Sequence, residues 1–405
     1  MNRRSFLKTL GSVGAFLLAG EGAAARSLFV LGVKDSSQIS NIEWILYETG
    51  RRRPGDQPER RCAVRITGMG GVQGWADLAA STMPDRANTG FIRDVLIGRS
   101  TAEHKAVWRQ LYEMGIPLGI LAGVDIAHWD LLGRLEGRPV HSLLETRRQN
   151  VKVCASTGFN LGDPQEYAGY ALACKERNIA ACKVQPYAGW SPGAGGRTDA
   201  GTADRDMAVY KAVRDAAGTD YPCVAGGSRE YTFDEALRMG RLLDDLAYKW
   251  YESPMPEEDG WRDRYTSLAA QVRTPICAPA SHPDSYPARV LWLTAKACDI
   301  SCMTVLHGGF TACMELASAC DAARIPLQLP DLGPDSYPHL QLIAATAPSL
   351  IEYLELPSPS REPYLLPGRA TPEPVCDEQG RVTIPQTPGM GIELDWKYIF
   401  THRVG

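Results

Sequence analysis

The sequence predicts an α/β protein, built as a (β/α)7β barrel of the TIM type behind an N-terminal α+β capping domain. Two observations predict the barrel. From residue 151 the chain alternates short apolar runs with longer amphipathic stretches, which is the pattern of repeated βα units around a parallel sheet. Seven such units follow one another within about 200 residues, and no glycine-rich dinucleotide-binding motif follows any of the apolar runs, so a closed barrel fits better than an open doubly wound sheet.

The composition is that of an ordinary globular protein. The 405 residues exceed what one small core needs and allow a large domain with a companion. Hydrophobic residues make up 44% and charged residues 22%, and the formal net charge of −4 does not favour a nucleic-acid partner. The 11 cysteines form neither CxxC pairs nor the Cys/His spacing of a zinc site, so we expect them to be small core residues.

Residues 1–25 have the layout of an export signal. The segment begins with the pair Arg3 and Arg4, continues with a Gly/Ala-rich apolar stretch and ends in Ala23–Ala25, which suits signal cleavage. This arrangement predicts twin-arginine export to the periplasm, and a basic amphipathic first helix is the alternative. The apolar stretch is too short and too rich in glycine for a stable membrane span.

Residues 26–150 are predicted to form the capping domain. Two β-rich runs are joined by a charged, turn-rich segment that we interpret as the exposed loop of a hairpin, and two helices follow, the second with a break at Gly137–Pro139. The β-rich runs are 41–50 and 62–78, the loop is 51–61, and the helices are 101–115 and 121–144.

Residues 151–355 are predicted to form the barrel, with short strands that are apolar on both faces. The predicted strands are 151–157, 180–187, 221–227, 247–253, 275–280, 298–305 and 325–330. The predicted helices are 164–178, 204–218, 232–246, 261–272, 286–297 and 309–324. Residues 356–405 are expected to pack back on the capping domain, with a loop and a strand at 387–400.

In a TIM-type barrel the active site lies at the carboxyl ends of the strands. The residues to consider are therefore those that end or follow each predicted strand. They are Lys183 and Gln185, Gly226 and Ser228, Glu252, Ala280 to His282, Thr304 to His307, and Gln328 to Asp331. Glu252 is notable because it is a lone carboxylate at the end of the apolar run AYKWYES.

Several segments jointly resemble one family. GVDIAHWDLLGRLEGRPVHSLL (123–144), YTFDEALRMGRLLDDLAYKWYESPMPEEDGW (231–261) and DISCMTVLHGGFTACMELASACDAARIPL (299–327) resemble the mandelate racemase-like branch of the enolase superfamily. PICAPAS (275–281) and PGMGIELDWKYI (388–399) extend the match, which runs from about residue 40 to about residue 400.

The resemblance implies an α+β lid on the barrel and a definite chemistry. In this family magnesium is held by three carboxylates at the tips of the third, fourth and fifth strands, and it binds the carboxylate of an acid-sugar-like substrate. A base removes the proton α to that carboxylate, and the metal stabilises the enediolate. The α-proton is weakly acidic, so the developing charge needs concentrated positive charge nearby. The resemblance also implies a sugar acid as the small-molecule partner and a homo-oligomer.

Carried onto this sequence, the resemblance keeps one metal ligand. Glu252 matches the fourth-strand ligand, whereas the third-strand position is Gly226 and the fifth-strand position is Ala280 or Ser281. A hard dication prefers several anionic oxygens, so we expect the standard magnesium site to be missing unless neighbouring side chains replace it. The nearest replacements are Ser228, Glu230, Ser281 and Asp284.

The bases that the resemblance implies are also altered. Lys183 matches the first position of the second-strand Lys-x-Lys or Lys-x-His pair, but Gln185 holds the second position and cannot abstract a proton at neutral pH. Thr304 stands at the position of the sixth-strand acid. Pro330, with Asp331 beside it, stands at the position of the seventh-strand histidine.

Three residues are candidate catalytic groups, namely Lys183, His307 and Asp331. Lys183 is expected to face the cavity, and the alternative is that Glu252 or Asp331 simply holds its amine. His307 follows the sixth strand in VLHGGF, beside a glycine pair that would let a ligand approach, and the alternative is an ordinary loop histidine.

Six further residues are candidate substrate contacts. Tyr187 opens a long glycine-rich loop (187–206) that could fold over a ligand or remain a solvated excursion. His282 lies close to the lost fifth-strand metal position, and His339 resembles the histidine before the last barrel helix, where helix-start packing is the alternative role. The set is Gln185, Tyr187, Ser228, Glu230, His282 and His339.

Three functions follow from these residues. The first is a diverged lyase or isomerase for acid sugars without the standard magnesium site. The second is a non-catalytic exported barrel that binds a carbohydrate or sugar acid. The third is a metal-independent enzyme with Lys183 and His307 as an acid/base pair. The replaced ligands and bases favour a diverged or lost activity over a standard dehydratase.

Overall fold

The computed structural model describes residues 38–404, apart from residues 54 and 228 and the segments 159–160, 187–202, 331–335 and 358–363. The predicted export signal and the candidate residues Tyr187, Ser228 and Asp331 lie outside the described residues. Among the helices that are described, none is long and apolar enough to cross a membrane.

The capping domain is built on a three-stranded antiparallel sheet in the order β1–β2–β3. Its strands are β1 (Ile39–Arg53), β2 (Gln57–Gly68) and β3 (Gln73–Ala79). The exposed loop predicted over 51–61 is wrong in its extent, because β1 and β2 continue to pair through most of it. Glu48 and Arg60 face each other across these strands and form an ion pair at 2.9 Å, so opposite charges support a solvent-facing ladder here.

Four helices follow the sheet. They are α1 (Arg86–Leu96), α2 (His104–Glu113), α3 (Leu118–Leu135) and α4 (Val140–Leu144). The helices predicted over 101–115 and 121–144, with a break near Gly137, are confirmed. Helix α3 is buried along most of its length because it packs between the sheet of the cap and the barrel.

Helix α3 approaches β3 closely at Gly74. A Cβ atom there would lie 2.1 Å from the backbone nitrogen of Leu131 and 2.5 Å from the carbonyl oxygen of Ala127.

We expect Gly74→Ala to lower the free energy of unfolding by about 3 kcal/mol, because helix backbone cannot move aside as a side chain can. The control is Gly90→Ala in the exposed middle of α1, where a Cβ meets nothing within 4 Å. That change should raise stability by about 0.5–1 kcal/mol. Urea unfolding checks both, and a Gly74→Ala protein as stable as the parent would contradict the close approach.

Eight parallel strands form the barrel in the described part of the chain. They are β4 (Asn150–Ser156), β5 (Ala181–Val184), β6 (Cys223–Gly226), β7 (Tyr251–Glu252), β8 (Ile276–Cys277), β9 (Ser301–Cys302), β10 (Leu327–Gln328) and β11 (Tyr353–Pro357). Strand β11 pairs with β4, and pairing then runs from β4 to β8 in chain order. A bridge between Cys277 and Ile300 and the β9–β10 pair continue the ring.

Over the residues that the structure describes, one α-helix follows each of the first seven barrel strands. These helices are α5 (Pro164–Glu176), α6 (Ala203–Ala217), α7 (Phe233–Asp245), α8 (Arg262–Ala269), α9 (Tyr286–Thr294), α10 (Gly309–Ala323) and α11 (Ser336–Ala345). Local sequence fixes some of their starts: Thr232 and Glu235 form a reciprocal capping box at α7. The predicted (β/α)7β barrel behind an α+β cap is confirmed.

The described residues after β11 pack partly on the barrel and partly on the cap. Strand β12 (Arg381–Thr383) pairs antiparallel with β4, and helix α12 (Trp396–Thr401) packs against β1. The strand expected within 387–400 is wrong over the second half of that segment. Asp395 starts a helix there, because its carboxylate accepts a hydrogen bond from the backbone nitrogen of Tyr398 at 2.9 Å.

A buried ionic cluster joins the sheet of the cap to this returning segment. The carboxylate of Asp77 accepts hydrogen bonds at 2.9 Å from Nε of Arg61 and from Nε of Arg369. The hydroxyl of Tyr47 donates to the same carboxylate at 2.8 Å. All four side chains are buried, so each charge depends on its partners for the stabilisation that water would otherwise supply.

The cysteines behave as the sequence predicts. All 11 are buried free thiols, in agreement with their interpretation as small core residues. Two pairs lie on neighbouring barrel strands: Cys182 faces Cys223 across β5 and β6, and Cys277 on β8 lies beside Cys302 on β9.

Candidate active site

The inward-facing side chains of the barrel form an apolar floor beneath a charged layer. The buried members of the floor are Cys154, Ala181, Val224, Trp250, Cys277, Ala280, Cys302 and Tyr353. Residues two apart on a strand share a face, so the next inward side chains toward the carboxyl ends of β5, β7 and β11 are Lys183, Glu252 and Glu355. We call these three residues the charged triad.

Lys183 lies at the centre of the charged triad. Its Nζ donates to Oε1 of Glu252 and to both carboxylate oxygens of Glu355, at 3.1 and 3.2 Å. Burial alone would lower the pKa of Lys183, but the charges of Glu252 and Glu355 outweigh it and raise the pKa above its ordinary value. The side chain is therefore an ammonium at neutral pH, with its donors directed at the two glutamates. This arrangement does not favour the base role predicted for Lys183 and agrees with an amine held by Glu252.

Sequence reasoning missed Glu355. This residue is fully buried near the end of β11, and Nε2 of Gln328 lies 3.5 Å from its Oε2. Burial raises the pKa of Glu355, although Lys183 opposes that shift. The signal was present in the sequence, because EYLEL (352–356) places a carboxylate near the end of an apolar strand, as AYKWYES does for Glu252.

Gln185 is already engaged within the barrel. Its Nε2 donates to Oγ of Ser156 at 2.8 Å, and its backbone nitrogen donates to Oγ1 of Thr157 at 2.9 Å. The side chain is buried. Gln185 thus ties β5 to the end of β4, and its predicted contact with substrate stays a prediction.

The described side chains next to Glu252 supply few of the oxygen ligands that a magnesium ion prefers. The strand partners of Glu252 are Gly226 and Cys277, neither of which offers an oxygen from its side chain. A Cβ at position 226 would lie 2.7 Å from Cγ of Gln185, so a larger side chain there would displace Gln185. A hard dication prefers several oxygen ligands, and among the described strand-tip positions only Glu252 supplies a family-type carboxylate.

Among the predicted replacements that the structure describes, Asp284 contacts the cap and Ser281 lies in a loop that Glu257 holds. Oδ1 of Asp284 accepts from the hydroxyl of Tyr112 in the cap at 2.8 Å. The backbone nitrogen of Ser281 donates to Oε2 of Glu257 at 2.6 Å, and that of Ala280 donates to Oε1 at 3.1 Å. Through these two hydrogen bonds the buried Glu257 joins the loop after β7 to the loop after β8. Sequence reasoning did not assign this role. Glu230 is half-buried beside this region.

Three histidines lie around the carboxyl ends of β8 to β10. Burial, with Arg289 adding to it, lowers the pKa of His307 to about 3, and its Nδ1 has no hydrogen-bond partner. His282 is buried, accepts from the backbone nitrogen of Asp284 at 3.1 Å, and has a pKa lowered mainly by burial. His307 and His282 are thus neutral imidazoles at neutral pH.

His339 is enclosed by the fold. The ring is fully buried in the first turn of α11, and its Nε2 accepts from the backbone nitrogen of Val305 at 3.2 Å. Burial lowers the pKa of His339 to about 3. This enclosed ring holds the loop after β9, which agrees with the packing alternative, and the predicted substrate contact of His339 stays a prediction.

The loop that carries His307 is held from the capping domain. The indole Nε1 of Trp108 donates to the carbonyl oxygen of Gly308 at 2.5 Å. The carboxylate of Asp125, on α3, accepts from the backbone nitrogen of Thr311 at 2.7 Å at the start of α10. Gly308 and Gly309 have φ values of 113° and 93°, and a Cβ at Gly309 would lie 2.5 Å from Oδ2 of Asp125. The two glycines are therefore required by both backbone conformation and contact.

An antiparallel cap over an eight-stranded parallel barrel, with ionisable groups at the carboxyl ends of the strands, defines a member of the enolase superfamily. The chain belongs to the mandelate racemase and muconate lactonizing enzyme group within it. Residues 56–145 match the mandelate racemase / muconate lactonizing enzyme N-terminal domain, and residues 167–398 match the enolase C-terminal domain-like family.

Relatives with assigned activities act on sugar acids or their lactones. The chain is 26% identical over 357 residues to the D-galactarolactone cycloisomerase of Agrobacterium fabrum, a match covering 82% of this chain and 88% of that protein. It is 23% identical over 365 residues to the arabinonate dehydratase of Saccharolobus solfataricus, covering 84% and 89%. The fold is similar to that of D-glucarate dehydratase from Agrobacterium tumefaciens complexed with magnesium, with a TM-score of 0.79 and 23% identity over 91% of this chain and 99% of that one.

Proposed function

We propose that the protein binds a sugar acid or a related carboxylate at the carboxyl end of its barrel without magnesium, as a diverged member of its family. The observation that carries this proposal is the position of Lys183. Its ammonium lies between Glu252 and Glu355, so a lysine already neutralises the one carboxylate that matches a family metal ligand. The relatives support the ligand class, because they act on sugar acids or lactones.

Charge considerations support the absence of magnesium. The charged triad is almost fully buried, and its ammonium and two carboxylates sum to one negative charge at most. A magnesium ion at Glu252 would add two positive charges beside an ammonium, and it would gain only one anionic ligand in return. Displacing Lys183 from Glu252 would leave the ammonium next to the metal in a medium of low dielectric.

The first expected result concerns the metal. Calorimetric titration of the purified protein with magnesium at millimolar concentration should show no stoichiometric binding, because a single buried carboxylate shared with an ammonium is a poor site for a hard dication. Glu252→Gln serves as the control and should give the same flat titration. Stoichiometric binding that disappears in Glu252→Gln would overturn the proposal and restore the magnesium-dependent reaction of the family.

A catalytic and a purely binding role remain separate candidates, and His307 favours the first. Its imidazole is neutral and its buried Nδ1 has no hydrogen-bond partner, so it offers an acceptor for a proton, and a pKa of about 3 makes it a weak base. The binding role is favoured by Lys183, whose ammonium is fully engaged, and by Gln185, whose amide is not a base.

A panel of aldonic and aldaric acids, tested with a chelator present, decides between them. Turnover that persists with chelator and falls at least about tenfold in His307→Asn would establish a metal-independent enzyme. Binding by calorimetry without turnover would establish the binding role. Turnover that requires added magnesium would contradict the proposal in both forms.

A further inference from the structure

Beside the charged triad lies a second set of groups, consisting of Glu252 and the thiols of Cys277 and Cys302. One carboxylate oxygen and the two Sγ atoms lie within 4.8 Å of one another, and all three residues are buried. The sequence interpretation treated both cysteines as core residues, and nothing in the sugar-acid proposal uses them.

A buried oxygen without a partner points toward a ligand here. Oε1 of Glu252 accepts from Lys183, but Oε2 has no hydrogen-bond partner, although the side chain is only 4% exposed. Buried carboxylate oxygens are nearly always satisfied, because an unpaired one loses its hydration without compensation. The thiols can offer it little, since a thiol is a weak donor.

We propose that Glu252, Cys277 and Cys302 form a binding site for one thiophilic divalent cation of the zinc or cadmium class. Two thiolates and a carboxylate oxygen are a donor set that such ions prefer and that magnesium does not. This inference goes beyond the sugar-acid proposal and does not rest on it.

The geometry requires only a small adjustment. In a tetrahedral zinc site the metal–sulfur distance is about 2.3 Å and the metal–oxygen distance about 2.0–2.2 Å, which sets ligand atoms roughly 3.5–3.8 Å apart. The three atoms already lie within 4.8 Å of one another, so side-chain rotation of about 1 Å brings them into range. Three protein ligands leave a fourth position for water or another donor.

The balance of charge inside the barrel favours a thiophilic cation at this site, although it disfavours magnesium at Glu252. Burial raises the pKa values of both thiols, so without a metal they are neutral. A divalent cation that displaces the two thiol protons leaves the total charge inside the barrel unchanged. Lys183 can then keep its contact with Oε1 of Glu252 while Oε2 binds the metal.

The chain contains a matched control pair of thiols. Sγ of Cys182 and Sγ of Cys223 lie 3.8 Å apart on the neighbouring strands β5 and β6. Both belong to the main core between strands and helices, whereas Cys277 and Cys302 belong to the floor inside the barrel. The control pair is therefore a second pair of close thiols on adjacent strands, outside the group that contains the carboxylate of Glu252.

The test is a titration of the reduced, full-length protein with cadmium, followed by the ultraviolet charge-transfer band of cadmium thiolates after long equilibration. We expect one equivalent of cadmium and a band with the intensity of two thiolates. The band should disappear in Cys277→Ser and Cys302→Ser, persist in Cys182→Ser, and need at least about tenfold more cadmium in Glu252→Gln. Magnesium at the same concentration should neither produce the band nor compete.

Three outcomes would overturn the proposal: no band in the parent protein, a band unchanged in Cys277→Ser, or equal loss in Cys182→Ser. If a serine variant does not fold, Cys277→Ala and Cys302→Ala replace it. Thermal unfolding gives an independent measurement, because cadmium should raise the melting temperature of the parent and of Cys182→Ser but not of the Cys277 and Cys302 variants.

Discussion

Replacing Lys183 with methionine is expected to lower the free energy of unfolding by about 3–5 kcal/mol, the range found when one member of a buried ion pair is removed. The substitution leaves Glu252 and Glu355, which share the ammonium, facing each other inside the barrel without a counter-charge. Like charges in a medium of low dielectric repel strongly, so at least one carboxylate must take up a proton or the barrel must open. Chemical denaturation at neutral pH measures the loss.

Two variants separate this effect from a simple loss of packing. Lys249→Met removes a lysine whose partner, Glu352, lies 2.9 Å away but is 42% exposed, so we expect a change of about 0–1 kcal/mol. Combining Lys183→Met with Glu252→Gln and Glu355→Gln removes all three charges and should recover most of the lost stability. If Lys183→Met alone is as stable as the parent, the charged triad does not hold the barrel together.

Replacing Asp77 with alanine is the second substitution with a large expected effect. It leaves the guanidinium groups of Arg61 and Arg369 buried without the carboxylate they share, and we expect a loss of about 3–5 kcal/mol. Because Arg369 belongs to the segment that returns from the barrel, the residues after β11 should also become accessible to protease. Urea unfolding and limited proteolysis measure the two effects.

The control for Asp77 is on the same sheet. Glu48 pairs with Arg60 at 2.9 Å, but its side chain is 39% exposed, so Glu48→Ala should change stability by about 0–1 kcal/mol and leave the proteolysis pattern unaltered. Equal effects of the two substitutions would show that burial of the Asp77 cluster contributes nothing.

The barrel could be predicted because its signals are local. Each βα unit shows its own periodicity, and some of the helices also carry a local start signal, as at Thr232 and Glu235. The strand bounds in the cap were harder to predict, because the charged residues over 51–61 look like a loop until the pairing of Glu48 with Arg60 is known. The last helix was missed because a capping aspartate, Asp395, is a weak signal within an aromatic run.

The candidate site could be predicted only as a set of strand tips. Lys183 and Glu252 were found because each ends or nearly ends a predicted strand. Their contact joins residues 69 positions apart, and that of Lys183 with Glu355 joins residues 172 apart. Such contacts depend on strand register and on closure of the barrel, neither of which a local pattern contains. The same holds for Cys277 and Cys302, which look like any small core residues in the sequence.

The cap holds the loop after β9, and this contact limits how the domains of this protein can be exchanged with those of its relatives. Trp108 and Asp125 of the cap form hydrogen bonds with the backbone at Gly308 and Thr311. The conformation of this part of the barrel mouth therefore depends on the other domain. In a chimera that joins this barrel to the cap of a relative, the loop after β9 would lose these two hydrogen bonds unless the new cap supplied the same side chains. The two domains are therefore coupled at this loop. A domain exchange would have to keep Trp108 and Asp125 in the cap together with the glycine pair in the barrel.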